Sequence, residues 1–73
     1  MLTFQYGPEG TLEVTVDGGG LAALMDVLSK LEAGDHEHLS TESWGGYSLT
    51  EEFPHADLAP IHQITISRVD EHA

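Results

Sequence analysis

Cysteine is absent from this chain, and Lys and Arg together contribute only two residues against thirteen Asp and Glu. Without cysteine there is no disulfide framework and no indication of an oxidising compartment. The formal net charge of -11 argues against binding nucleic acid or an anionic membrane, because both require basic side chains against phosphate. The same charge favours a basic protein partner, whose encounter it would accelerate, unless the acidic surface serves only solubility.

Long hydrophobic runs and a secretory signal are also lacking, so we expect a cytoplasmic protein. Hydrophobic residues still make up 40% of the chain and recur in regular patterns, which favours one folded domain over residues 1–73 rather than disorder. So small a domain has a thin core. The remaining sources of stability are tight packing, a homodimer, or a metal held by His and carboxylates.

The first sixteen residues predict a β-hairpin. Apolar side chains alternate with polar ones in two runs separated by a Pro- and Gly-containing turn at 7–10. The alternating apolar residues are Leu2, Phe4 and Tyr6, then Leu12, Val14 and Val16.

One helical pattern follows the glycines at 18–20. These glycines indicate a flexible link rather than a phosphate-binding loop, because the Lys-Ser/Thr pair of such a loop is missing. Lys30 suits the last turn of the helix and Gly34 suits the left-handed position after it. The apolar stripe, which we expect to lie in the core, consists of Leu21, Leu24, Met25, Leu28 and Leu31.

The second half of the chain predicts shorter elements. Residues 35–41 alternate as a strand, in which Leu39 faces the helix while His36 and His38 point the other way. In chain order there follow a turn, a short returning strand, a proline-bracketed loop, the last strand and a frayed polar tail: 43–46, 47–50, 51–60, 61–69 and 70–73.

The element order β-β-α-β-(β)-β predicts an α+β fold, a two-layer sandwich of one amphipathic helix on an antiparallel sheet of four to five strands. One helix cannot cover both faces of the sheet, so we expect the other face to be open for contact or simply solvated. The alternation assigns to it Thr3, Gln5, Glu13, Thr15, His36, His38, Ser40, Gln63, Thr65 and Ser67.

His36 and His38 form an H-x-H pair, a weak signal for a metal site. On a strand both imidazoles lie on one face, close enough to share an ion. The third ligand would come from His55, His62, Glu13 or Glu42. A chain with five His contains such a pair often by chance, so we expect no metal requirement and no cofactor.

Features of an enzyme are missing from the sequence. There is no G-x-S-x-G elbow and no oxyanion loop for a Ser-His-Asp hydrolase. A carboxylate pair of the glycosidase type needs a cleft, which 73 residues rarely enclose. We therefore expect a binding protein rather than a catalyst.

Trp44 and Tyr47 flank a glycine pair on the predicted turn. They either form an aromatic anchor for a partner, or Trp44 folds over the sheet edge and closes the thin core. Four acids flank this pair outside the regular core positions, and we expect them to form a rim for partner binding: Glu42, Glu51, Glu52 and Asp57.

The runs Gly34-Asp35-His36-Glu37-His38-Leu39, Trp44-Gly45-Gly46 and Leu49-Thr50 resemble a pattern of the immunity protein 32 family of bacterial polymorphic toxin systems. In that pattern a G-D-H-x-H-L stretch follows a helix and W-G-G follows after a short gap. The resemblance covers one stretch of well under half the chain, and it implies a small α+β protein that neutralises a cognate toxin. It implies no role for any single residue.

The resemblance and the charge point to the same function. A small acidic domain suits an inhibitor that covers the phosphate-binding surface of a basic toxin such as a nuclease. The runner-up is a structural or accessory homodimer with no toxin partner, and a His-based metal-binding module comes third.

Overall fold

The predicted hairpin is confirmed in the computed structural model, which describes residues 1–69; the predicted frayed tail at 70–73 lies outside the described residues. Strand β1 (Leu2–Tyr6) pairs antiparallel with β2 (Leu12–Val16), and the connection is a short 3-10 helix, Pro8–Gly10. Glu9 and Gly10 both adopt left-handed backbone angles there, with φ of 61° and 74°. Two consecutive left-handed residues reverse the chain direction tightly.

The glycines at 18–20 belong to the helix, so their prediction as a flexible link is wrong. Helix α1 (Gly18–Lys30) begins after Asp17, whose carboxylate accepts a hydrogen bond of 2.8 Å from the Gly20 amide. A side-chain cap of this kind replaces the partner that the first helical amides lack. The adjacent N-terminal ammonium of Met1, together with the Gly20 amide, holds the pKa of Asp17 below its ordinary value.

The apolar stripe of α1 is only partly buried, which corrects the prediction that all of it lies in the core. The side that faces the sheets carries Gly20, Leu24 and Val27, and Leu31 is buried just beyond the helix end. The remaining stripe residues are exposed to solvent: Leu21, Met25 and Leu28. The close approach of Gly20 to the backbone of Met1 sets this rotation, because the helix lies against the chain at that point.

The strands in the second half of the chain are divided between two sheets. Strand β3 (His36–Ser40) pairs antiparallel with β5 (Gln63–Ser67), while β4 (Ala59–Ile61) pairs antiparallel with the free edge of β1. The predicted last strand is therefore divided at His62, where the chain passes from one sheet to the other. The predicted strand at 47–50 is reduced to one isolated parallel bridge, between Leu49 and Thr41.

The core lies between the two sheets and under α1. Its buried members are Leu2, Phe4, Leu39 and Leu49. Partly buried side chains complete it from the helix and from the crossing segment: Val16, Leu24, Val27, Ile61, Ile64 and Ile66. One helix packed with two antiparallel sheets confirms the predicted α+β fold, although the strands of residues 1–69 form sheets of three and two strands rather than one sheet.

The second face of β1 is covered, which corrects its prediction as open. Thr3 and Gln5 are both buried. The Gln5 amide nitrogen donates to the carbonyls of His55 (2.8 Å) and Leu58 (3.3 Å), and its oxygen accepts from the His55 amide (3.2 Å). The proline-bracketed loop thus packs on this face, so the predicted open face survives only around β3 and β5 and the outer part of β2.

The different burial of two leucines gives a direct test of this core. Leu39 is 2% exposed and Leu28 is 49% exposed. We expect Leu39→Ala to lower the free energy of unfolding by about 2–4 kcal/mol. Leu28→Ala removes the same atoms from a half-exposed position and should cost less than about 1 kcal/mol. Urea unfolding in dilute protein solution measures both values, and equal losses would contradict the described rotation of α1.

Two glycines of α1 give a second matched pair. A Cβ on Gly20 would overlap the carbonyl of Met1, whereas a Cβ on Gly18 meets nothing within 4 Å. We expect Gly20→Ala to destabilise the domain by roughly 1–3 kcal/mol or more, because the first strand must move. Gly18→Ala should be neutral or slightly stabilising, since Ala is the better helix former. Thermal unfolding of both variants against the parent protein decides the matter.

Candidate partner-binding surface

A tight turn follows β3 and carries most of the predicted partner-binding residues. Its 3-10 helix, Glu42–Trp44, directly follows Thr41, which is completely buried. The Thr41 carbonyl accepts hydrogen bonds of 3.0 Å from the amides of Trp44 and Gly46. Gly45 is left-handed with φ of 84°, and a Cβ on Gly46 would press against the Ser40 backbone. The glycine pair therefore lets the turn fold back closely on the end of β3.

Trp44 lies against the junction of the two sheets. Its indole stacks on the His62 imidazole with ring centroids 5.9 Å apart and an interplanar angle of 2°, and Phe53 meets the same imidazole edge-on at 5.6 Å. The His62 Nδ1 lies 2.8 Å from the Thr41 hydroxyl. Trp44 is nevertheless 61% exposed, so one side of the indole is held in place and the rest faces solvent. The indole thus folds onto the sheet junction in part, as one alternative predicted, while its role as an anchor for a partner stays a prediction.

Glu51 closes the turn from the other side. Its carboxylate accepts hydrogen bonds from the Ser43 amide at 2.7 Å and the Ser43 hydroxyl at 2.9 Å. These two bonds are the main cause that holds the pKa of Glu51 below its ordinary value. From the sequence we expected Glu51 to be one more free acid of the rim. Its contact with Ser43 spans eight residues and depends on how the turn folds, so local patterns do not predict it.

The turn and the following segment enclose an open depression of about 640 Å³. Its lining combines three carboxylates with hydroxyl and apolar groups: Glu42, Ser43, Tyr47, Leu49, Thr50, Glu51 and Glu52. Tyr47 is 94% exposed at its rim. Carboxylates around a concave surface concentrate negative potential there, and an exposed aromatic ring beside them offers apolar contact area.

The structure brings together four of the six residues predicted to bind a partner. Glu42, Tyr47, Glu51 and Glu52 line the depression, and Trp44 belongs to the same turn but packs on His62 instead. Asp57 is not among the lining residues. It precedes Leu58, whose side chain packs against Gly7 at the opposite end of β1.

His36 and His38 lie on the outer face of β3, exposed and directed away from Leu39 as predicted. Their rings meet edge-on at 4.9 Å, and the His38 Nδ1 lies 2.9 Å from the Thr65 hydroxyl. Of the third ligands considered for them, His62 stacks on Trp44, His55 lies 3.5 Å from Glu13, and Glu42 lines the depression. Within residues 1–69 no group of three His, Cys, Asp or Glu is placed to hold a metal ion.

Comparison with known proteins adds no relative: no protein-family model, no curated protein and no solved structure matches this chain. The resemblance to the immunity protein 32 family therefore stays a prediction. Among residues 1–69, no helix combines the length and the apolar character that crossing a membrane requires.

The Glu51–Ser43 contact predicts a pH dependence of the turn. Because the pKa of Glu51 is lowered in the folded chain, its contribution is present above the ordinary value of 4.5 and is lost as the pH falls through the folded value. Trp44, the only tryptophan, reports on the turn. We expect its fluorescence to change below about pH 4.5 in the parent protein and much less in Glu51→Gln.

Glu52→Gln is the matched control for this titration. Glu52 lines the same depression, but within residues 1–69 its carboxylate has no hydrogen-bond partner, so this variant should keep the acid transition. An equal transition in Glu51→Gln and in the parent protein would show that the Glu51–Ser43 contact does not order the turn.

Proposed function

We propose that this domain is an immunity protein, which binds a basic toxin in the cytoplasm and neutralises it. The observation that carries the proposal is the depression lined by Glu42, Glu51 and Glu52 with Tyr47 exposed at its rim. The net charge of -11 and the resemblance of the stretch from Gly34 to Thr50 support the same reading.

The proposed mode of binding separates encounter from retention. The carboxylates attract a basic surface over a distance and raise the association rate, an effect that salt weakens. Tyr47 and the exposed side of Trp44 supply apolar contact area after docking, which slows dissociation. In this mode the depression accepts a Lys or Arg side chain that the toxin otherwise uses to bind phosphate. The domain therefore competes with the toxin's anionic substrate by charge mimicry.

The activity we propose is binding alone. Two hydroxyl–imidazole pairs are present in the described chain, Thr41 with His62 and His38 with Thr65. The Thr41 side chain is fully buried, so its hydroxyl is out of reach of a substrate, and its pair with His62 joins the two sheets. The His38–Thr65 pair links β3 to β5 on their exposed outer face, where the depression does not reach.

The experiment that tests the proposal is co-expression with the toxin domain encoded beside the gene of this chain. We expect co-expression to restore bacterial growth and the two proteins to co-purify. A gene neighbourhood without a toxin, or a toxin that stays lethal while this domain is folded and abundant, would contradict the proposal.

Charge reversal at the depression then tests the surface. Glu42 and Glu52 have no side-chain partner within residues 1–69, so Glu42→Lys with Glu52→Lys should leave the fold intact. We expect this variant to slow association with the toxin about tenfold or more at low salt, with a smaller effect at high salt. Stopped-flow or surface-plasmon measurements across a salt series give the rates.

Two controls make the charge-reversal test specific. Glu9→Lys with Glu32→Lys changes the net charge equally at exposed positions outside the depression, and should slow association far less. Tyr47→Ala should mainly speed dissociation, because it removes contact area but no charge. Equal slowing by both charge reversals would mean that net charge alone acts and that the depression is not the binding surface.

A further inference from the structure

Strand β2 has one free edge with its backbone groups directed outward. Within residues 1–69 it pairs only with β1. Hydrogen bonds from the Gly7 amide to Thr11 and from the Asp17 amide to Met1 frame the hairpin. Bonded and non-bonded pairs alternate along an antiparallel ladder, so every second residue of β2 between these two pairs bonds β1. The residues between them direct N–H and C=O to the free edge: Leu12, Val14 and Val16.

The free edge of β2 lacks the features that normally prevent two sheet edges from pairing. β2 contains no Pro and no Lys, its register with β1 has no bulge, and its one charged residue is Glu13. Leu12 is 57% exposed on the face that α1 only partly covers, and Val14 is also exposed. A regular, apolar and uncovered edge is a template for pairing with another strand.

The exposed flank of α1 lies on the same side of the molecule as this edge. The opposite flank, with Asp26 and Lys30, borders a small depression together with Asp35 and Glu37 at β3. Strand β3 lies beyond β4 and therefore across β1 from β2, because β4 runs on into the partner strand of β3. The flank that faces away from β3 consequently looks toward the β2 side. It carries Leu21, Met25 and Leu28.

We propose that a second copy of this chain binds here, with β2 pairing antiparallel to β2 of the other copy across a two-fold axis. The β2–α1 face, made of Leu12, Val14, Leu21, Met25 and Leu28, carries no charged side chain. In a chain of net charge -11, most contacts between two copies set acid against acid, and this face avoids that repulsion. The dimer is separate from the proposed function, since the acidic depression lies across β1 from β2 and stays open.

Charge and hydrogen bonding select the register of the pair. Centred on Val14, the two strands place Leu12 opposite Val16 of the other copy and Glu13 opposite Thr15, and about six backbone hydrogen bonds form. Centred on Glu13, they would place two like charges directly opposite each other, which is unfavourable. The Val14-centred pair joins the two three-stranded sheets into one and sets the apolar flanks of α1 on a common side.

Sedimentation equilibrium of the full chain tests the proposal. We expect a species of twice the 7.9 kDa chain mass at micromolar concentration. Added sodium chloride should strengthen the dimer, because it screens the repulsion between two acidic chains. A single species of 7.9 kDa up to high micromolar concentration and high salt would overturn the proposal. The same result is expected if a different protein, rather than a second copy, covers this face.

Matched substitutions locate the interface. Val14→Lys sets two charges against each other at the axis and should weaken the dimer about tenfold or more. Met25→Lys on the exposed helix flank should also weaken it, whereas Val69→Lys, equally non-conservative but at the exposed end of the described chain, should not. Circular dichroism checks that each variant is folded; if Val14→Lys unfolds, Met25→Lys decides. A dimer that persists in a folded Val14→Lys, or in Met25→Lys where that variant decides, overturns the proposed interface.

A gain-of-affinity variant tests the register. Thr15→Lys places a cation opposite Glu13 of the other copy, twice in each dimer, and should tighten the dimer several-fold. Ser67→Lys changes the net charge equally on the outer face of β5 and is the control. If both variants tighten the dimer equally, the Val14-centred register is wrong.

Discussion

Thr41 and His62 join the two sheets, and the candidate partner-binding surface is built on their contact. The Thr41 amide donates to the His62 carbonyl at 2.9 Å, and the two side chains share a second hydrogen bond of 2.8 Å. The chain changes sheets at His62, so these bonds hold β3 beside the crossing point. The Thr41 carbonyl in turn holds the turn that carries Trp44, and the indole returns to stack on His62. The depression exists because the turn is anchored at both ends.

Two surfaces of this domain differ in the partner that we propose for each. The depression carries three carboxylates, which suits a basic partner rather than a second acidic copy. The β2–α1 face is uncharged and suits a copy of itself, because a two-fold contact places identical groups together. Both surfaces border β1 from opposite sides. If both proposals hold, each dimer presents two surfaces for a toxin.

Sequence patterns predicted the local elements more reliably than their partners. Strict alternation predicted β1, β2 and β3, and helical spacing predicted α1, since both signals depend on neighbours within a few residues. The division of the last strand at His62 has no local signal, because each half keeps the same alternation while pairing with a different strand. Likewise, Gln5 reads as a solvated residue of a sheet face, and only the returning loop around His55 makes it a buried one.

At the candidate site, too, local patterns predicted the segment but not the long-range contacts. Composition and the cluster of aromatic and acidic residues pointed to the segment around Trp44, and four of the six predicted residues line one depression. The separate position of Asp57 and the structural role of Glu51 follow from how the loop packs against Gly7 and Ser43.

Periodicity and charge are properties of the chain, so they are enough to predict the α+β class, the strongly acidic composition and the alternation that exposes His36 and His38. The rotation of α1, which leaves Leu21, Met25 and Leu28 in solvent, and the free edge of β2 follow only from the folded arrangement. These depend on which strands pair and on how closely Gly20 approaches Met1, and such long-range contacts are set by packing rather than by pattern.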